Sequence, residues 1–167
     1  LQSYPTVTLQ GARSKAELYS VVYATMNSQV DIGGRLILEG PGSQGQVVSR
    51  SVALDRARVT ARGELVGRHP DSRAHLKCDG LLLSPTAQIK AVPMLRAETT
   101  GTSLSHEATV GKVEAEQLNY LMSRGLTEEE ATTLIVRGFM TMRAPDLPPI
   151  LQEAIDKAVE LTLQGGF

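Results

Sequence analysis

The chain has 167 residues, of which 41% are hydrophobic, which suits one domain or one core with a small appendage and argues against disorder. Its 17 basic and 18 acidic residues nearly cancel, so the composition carries no electrostatic signature of nucleic-acid or anionic-lipid binding. No apolar run reaches the roughly 18 residues that indicate a membrane-spanning helix, and no signal peptide is visible. The sequence therefore predicts neither a nucleic-acid nor a membrane partner.

Cys78 is the single cysteine of the chain. It excludes an internal disulfide and any metal site built from several cysteines of one chain, and it fits a reducing compartment. The chain begins at Leu1 and not at a methionine, so we expect a fragment of a longer protein.

Up to residue 113 the pattern predicts short strands separated by turn signals such as Gly33-Gly34 and Ser84-Pro85. Aromatic residues are only 4%, so the core is aliphatic, which favours thin stacked layers of strands. The spacing is typical of a sandwich, a barrel or a β-helix, and periodicity alone does not separate a β-helix from a sandwich. The predicted strands are Glu17–Ala24, Arg35–Glu39, Gln46–Leu54, Arg58–Leu65, Ala74–Leu83, Gln88–Val92 and Met94–Glu98.

After residue 113 the period becomes helical. A first helix is predicted from Glu114 to Arg124, with Gly125 as its stop. Thr127 and Glu130 form a capping box that opens a second helix. Proline residues then interrupt the pattern before a last helix that begins near Leu151. These breaking residues are Pro145 and Pro148-Pro149, and Gly165-Gly166 is predicted to end the last helix.

Three residues are candidates for chemistry: Cys78, His106 and Glu107. A lone cysteine is more often a small buried hydrophobic residue, and a histidine beside a glutamate at a domain junction is more often structural. The functional interpretation is a set of metal ligands, because thiolate, imidazole and carboxylate all bind iron. Strand alternation places Lys77 and Asp79 on one face, opposite Cys78, and leaves open whether Cys78 faces the interior or a partner.

Several common motifs are absent from the sequence: the GxxxxGK[ST] phosphate loop, GxGxxG after a strand, HExxH and CxxC. Their absence excludes nucleotide hydrolysis and most common metal chemistries as functions of this chain alone.

The order and spacing of a series of motifs resemble the SufB/SufD family of iron–sulfur cluster assembly proteins. The resemblance is strongest from about Gly33 to Phe139. The motifs are Cys78-Asp79-Gly80-Leu81-Leu82-Leu83, Pro93 and Leu95, Ser105-His106-Glu107-Ala108-Thr109-Val110-Gly111, Glu116-Gln117-Leu118-Asn119-Tyr120-Leu121, Ser123-Arg124-Gly125-Leu126-Thr127-Glu128-Glu129-Glu130-Ala131 and Leu134-Ile135-Val136-Arg137-Gly138-Phe139.

The resemblance implies a mainly β fold with C-terminal α structure: a right-handed parallel β-helix over residues 1–113, followed by a helical domain over 114–167. It implies a cytoplasmic protein, an ABC-type ATPase partner of the SufC type on the helical domain, and a SufB/SufD-type partner, or a second copy, at the end of the β-helix. A transient iron–sulfur cluster is expected at that subunit interface.

Residue by residue, Cys78 matches the SufB cysteine implicated in cluster assembly and His106 matches a histidine of both relatives. We expect Cys78, His106 and Glu107 to lie close together near a dimer interface as cluster ligands. Glu107 matches the SufB version, whereas Val110-Gly111 is similar to SufD, so the chain resembles an undivided SufBD type that could pair with itself. We therefore expect a non-enzymatic scaffold. The alternatives are a SufD-like structural partner that holds no cluster, and an enzyme with Cys78 as nucleophile and His106 as base.

Overall fold

A computed structural model describes residues 1–142 and 147–164. The chain divides into two compact units, Leu1–Gly111 and Lys112–Phe167. The division predicted at residue 113 lies two residues beyond this boundary. The strands of the described residues are β1 (Gln2–Ser3), β2 (Thr6–Leu9), β3 (Lys15–Ala24), β4 (Gln29–Leu38), β5 (Gln44–Ala53), β6 (Arg58–Gly67), β7 (Arg73–Leu82), β8 (Gln88–Ala97) and β9 (Ser103–Lys112), and the helices are α1 (Ala115–Ser123), α2 (Glu128–Met140) and α3 (Pro149–Gln164).

The first unit is a parallel β-helix. From β2 onwards its strands alternate along the chain between two parallel sheets. One sheet has the order β1-β4-β6-β8, with β2 also on β4, and the other has the order β3-β5-β7-β9. A residue therefore lies beside the residue 29 or 30 positions later, as Ser49 lies beside Cys78 and Arg58 beside Gln88. The parallel pairing confirms the β-helix and is inconsistent with an antiparallel sandwich.

Aliphatic side chains fill the space between the two sheets. Leu36, Leu65 and Leu76 are wholly buried there, and full burial of each stabilises the fold by about 1.5–3 kcal/mol. Gly63 makes room for Leu76, because a Cβ atom at Gly63 would lie 2.2 Å from Leu76 Cδ1. An aromatic-poor sequence suits this interior, since a larger ring would force the two sheets apart.

The last coil differs from the prediction. Strand β8 runs unbroken through Pro93, where the sequence predicted two separate strands. Gln88 N, at the start of β8, donates to Ala57 O at 3.0 Å, and Glu98 N, directly after its end, donates to Gly67 O at 2.8 Å, so even-numbered residues donate towards β6. Pro93 is odd-numbered, and the N–H that it lacks would point away from β6. The strand β9, which carries His106 and Glu107, was not predicted as a separate element.

The helical unit follows local sequence signals. The capping box is confirmed, because Thr127 Oγ1 accepts from Glu130 N at 3.2 Å and the Glu130 carboxylate accepts from Thr127 N at 2.8 Å. Gly125, with φ of +96°, follows α1 in a conformation that favours glycine.

The last helix begins earlier than predicted. Pro149 is its first residue, a position where the missing proline N–H costs no helical hydrogen bond. In the part of the chain that the structure describes, no helix is long and apolar enough to cross a membrane. Pro145 and Gly165-Gly166 lie outside the described residues.

Candidate functional site

Cys78 lies in the middle of β7 and faces the interior of the β-helix. Only 2% of the residue is exposed, and it belongs to the core cluster that contains Leu65 and Leu76. Its neighbours Lys77 and Asp79 project from the opposite, outer face of the sheet. Burial, with a smaller contribution from the Asp79 charge, raises the pKa of the Cys78 thiol above its ordinary value. At neutral pH the free protein therefore holds Cys78 as an enclosed, neutral thiol.

This enclosure predicts a slow reaction of Cys78 with thiol reagents. We expect Ellman's reagent to modify the folded protein at least about 100-fold more slowly than the protein unfolded in guanidinium, because the reagent needs both access and the thiolate. A Cys78→Ser variant that carries Tyr120→Cys provides the exposed control, since Tyr120 is 59% exposed. Equal rates for Cys78 and the control cysteine in the folded proteins would contradict the enclosed position.

His106 lies in β9, which pairs with β7. Two contacts show that each β9 residue lies beside the β7 residue 30 positions earlier: His75 Nδ1 lies 2.8 Å from Ser105 Oγ, and Lys77 Nζ pairs with the Glu107 carboxylate. His106 is therefore beside the inward-facing Leu76 and shares its face. The His106 Nε2 atom is buried and has no hydrogen-bond partner. Within β9, it is the one buried side-chain nitrogen or oxygen that lacks a partner.

Glu107 projects from the outer face, because β9 is a regular strand in which consecutive side chains alternate. Its carboxylate pairs with Lys77 Nζ, and Lys77 Nζ also lies 3.8 Å from Asp79 Oδ2. The hydrogen bond and charge of Lys77 hold the pKa of Glu107 below its ordinary value. Glu107 is therefore an ionised, exposed carboxylate whose counter-ion is Lys77.

The structure thus brings two of the three predicted ligands to one face. Cys78 and His106 both face inwards and sit diagonally on neighbouring strands, with Cα atoms about 8 Å apart by the ordinary strand spacing and rise. Glu107 faces away from both. Among residues 1–142 and 147–164, no group of three or more His, Cys, Asp or Glu side chains could hold a metal ion. One chain therefore offers a thiol and an imidazole, which is half of an ordinary metal site.

Sequence reasoning missed two buried hydroxyls beside this pair. Ser49 and Ser51 face the interior from β5, both are 0% exposed, and neither Oγ atom has a hydrogen-bond partner. Ser49 lies directly beside Cys78, and Ser51 beside Gly80. The offset of 29 residues between coils would have indicated Ser49, but that offset is known only once the strands are paired.

The fold and the site together define a class of protein: a parallel β-helix that carries one thiol and one imidazole on the inner face of its last two coils and is followed by a helical unit. The sequence model of the family described as "SUF system FeS cluster assembly, SufBD core domain" matches residues 1–139. The chain belongs to this SufBD family.

Curated relatives agree with this assignment. The chain is 44% identical over 165 residues to an iron–sulfur cluster assembly SufBD family protein of Methanothermobacter thermautotrophicus, with 99% of this chain and 40% of the relative covered. It is 41% identical over 161 residues to the protein of that name in Archaeoglobus fulgidus, with 96% of this chain and 43% of the relative covered. A Mycobacterium tuberculosis relative is 36% identical over 165 residues, which cover 97% of this chain and 19% of the relative. The chain spans about two fifths of the length of the two archaeal relatives.

Proposed function

We propose that this chain is the C-terminal part of a scaffold on which an iron–sulfur cluster, its cargo, is assembled and handed on. The observation that carries the proposal is the inward-facing pair of Cys78 and His106 on neighbouring strands, with His106 Nε2 buried and without a partner. An unpaired buried nitrogen costs about 1–3 kcal/mol. A metal ion bound there would offset that cost.

The number of ligands supports a shared site. A cluster commonly takes four protein ligands, with cysteine prominent among them. One chain offers only a thiol and an imidazole on a common face, so two copies, or one copy and a related partner, would complete the set. A cluster shared in this way would be released when the two subunits separate, which suits a scaffold.

The free edge of β9 supports pairing at this end of the β-helix. Ser103 N donates to Ser72 O at 3.0 Å, so odd-numbered residues of β9 donate towards β7. The even-numbered residues from Leu104 to Lys112, His106 among them, direct their N–H and C=O groups to the other edge, and β9 is the last strand of its sheet in the described residues. In β8 the corresponding edge is interrupted by Pro93. Strand β9 is therefore the edge at which we propose that a second copy, or a SufB/SufD-type partner, pairs.

The side chains of the last coil favour the same interface. Leu95 and Val110 are 40% and 43% exposed, although each occupies an inward-facing position of its strand. In β9 the small Ala108 lies beside Cys78 of β7, so the last coil covers the thiol with no side chain larger than a methyl group at that position. A partner placed here would bury the exposed apolar surface and come within reach of Cys78 and His106.

We further propose that the helical unit binds an ABC-type ATPase of the SufC type, which would supply the energy to open the shared site. A groove of about 290 Å³ runs along α2 and contains the exposed Leu134, which is 49% exposed. It also contains Arg137, within a motif on which the resemblance to the family rests. The residues that line the groove are Leu126, Glu129, Glu130, Thr133, Leu134 and Arg137.

A charge placed in this groove should weaken ATPase binding. We expect Leu134→Asp to lower the affinity for the SufC-type subunit by at least about tenfold, because a partner that covers the groove would bury the new carboxylate without a compensating charge. Leu161→Asp on α3 is the matched control, because Leu161 is 58% exposed and does not line the groove. Titration of each variant with the ATPase measures the change, and full binding by Leu134→Asp would count against this docking site.

The scaffold function is tested by anaerobic reconstitution of the protein with ferrous iron and sulfide, followed by visible absorption. We expect a sulfide-to-iron band whose intensity corresponds to one cluster for every two copies, or for each pair with the partner. A protein that stays colourless alone and with its partner would be a SufD-like structural subunit instead. The raised pKa and the burial of the Cys78 thiol argue against an enzymatic nucleophile, because nucleophilic cysteines are accessible and have lowered pKa values.

A further inference from the structure

Ser49 occupies an unusual position for a serine. It lies inside the β-helix, and its partner in the register of β5 and β7 is Cys78. Its residue is 0% exposed and its hydroxyl has no hydrogen-bond partner, although Ser20 lies on its other side in the same column. A buried hydroxyl without a partner destabilises the fold by about 1–3 kcal/mol, so a state in which Ser49 gains a hydrogen-bond partner would be favoured by that amount.

The chemistry of sulfur indicates which state that is. A neutral thiol is a weak hydrogen-bond acceptor, whereas a sulfur that binds a metal ion carries negative charge and accepts strongly. Neighbouring coils lie about 4.8 Å apart, and a change of the Ser49 side chain between staggered rotamers moves its Oγ atom along the column. The Ser49 hydroxyl is therefore placed to reach the Cys78 sulfur once that sulfur becomes a good acceptor.

We propose that Ser49 is a positioning residue, whose hydroxyl donates a hydrogen bond to the Cys78 sulfur when that sulfur binds a metal ion. This inference rests on the proposed function, because it requires Cys78 to be a ligand. Hydrogen bonds to a ligating sulfur orient the ligand and adjust its electron donation to the metal. Ser49 would thus tune how tightly the cargo is held.

The test uses cobalt(II) as the probe, titrated anaerobically into the intact protein. A cobalt–thiolate bond gives a charge-transfer band in the near ultraviolet that reports directly on the sulfur. We expect Ser49→Ala to weaken cobalt binding about tenfold and to move this band to lower energy, because the sulfur lone pairs lose the stabilising hydrogen bond. The matched control is Ser51→Ala, since Ser51 is equally buried and equally unpaired but lies beside Gly80. This control should leave affinity and band unchanged within about twofold.

The possible results separate this inference from the proposed function. If the parent shows a band that Cys78→Ser abolishes, yet Ser49→Ala behaves as the parent or as Ser51→Ala, the role of Ser49 is overturned and the ligand role of Cys78 stands. If the parent shows no band that depends on Cys78, the ligand assignment fails, and the role of Ser49 fails with it. Thermal unfolding midpoints of both alanine variants should equal or exceed that of the parent, because each variant removes an unsatisfied buried hydroxyl.

Discussion

Cys78→Ser is expected to lower the yield of reconstituted cluster, in the presence of the partner, by more than about tenfold while the protein still folds. The physical reason is that Cys78 is the single thiol of the chain and faces the interior beside His106. A serine hydroxyl fills nearly the same volume but binds iron and sulfide-bridged clusters far less well than a thiolate. Visible absorption after anaerobic reconstitution measures the yield, and circular dichroism checks the fold.

His106→Ala provides the second half of this prediction, with His75→Ala as its matched control. His75 lies in β7 with its Nδ1 atom 2.8 Å from Ser105 Oγ, on the outer face. We expect His106→Ala to reduce the cluster yield strongly and His75→Ala to leave it unchanged. Glu107→Gln should reduce the cluster yield less than His106→Ala does, since Glu107 faces Lys77 and not Cys78. A normal yield from Cys78→Ser would contradict the ligand assignment and favour the structural-partner interpretation.

The second large effect is expected from a proline in β9, which should weaken self-association or pairing with a SufB/SufD-type partner. Val110→Pro removes an N–H group from the free edge of β9 and spares the hydrogen bonds between β9 and β7, which the odd-numbered residues make. We expect this variant to weaken the proposed pairing by at least about tenfold, because an added strand would lose a backbone hydrogen bond and meet the proline ring. Sedimentation velocity over a range of concentrations measures the change.

Ala91→Pro in β8 is the control that tests whether the effect of Val110→Pro is specific to the edge of β9. Ala91 is odd-numbered, so its N–H also points away from β6, but Pro93 already interrupts that edge two residues further on. The control should therefore show the same association as the parent in sedimentation velocity. If Ala91→Pro dissociated the dimer and Val110→Pro did not, β8 would be the pairing edge and the assignment of β9 would be wrong.

Local signals in the sequence determined the helical unit and most of the strands. The capping box from Thr127 to Glu130 is an interaction between residues three apart, so the start of α2 needed no knowledge of the fold. The strand pattern with its aliphatic composition indicated layered β structure, but the β-helix was chosen over a sandwich through the resemblance to a family. Pro93 misled the prediction, because whether a proline breaks a strand depends on which side its missing N–H would face.

The sequence also determined the candidate residues Cys78, His106 and Glu107, and the motifs around them identified the SufBD family. Only the tertiary structure decided which of these side chains point into the β-helix and which point outwards. The 30-residue offset between β7 and β9 places His106 on the face of Cys78 and pairs Glu107 with Lys77, and the 29-residue offset places Ser49 beside Cys78. A shift by one residue in either register would exchange the two faces of the strand, and the register is decided by long-range packing of the coils.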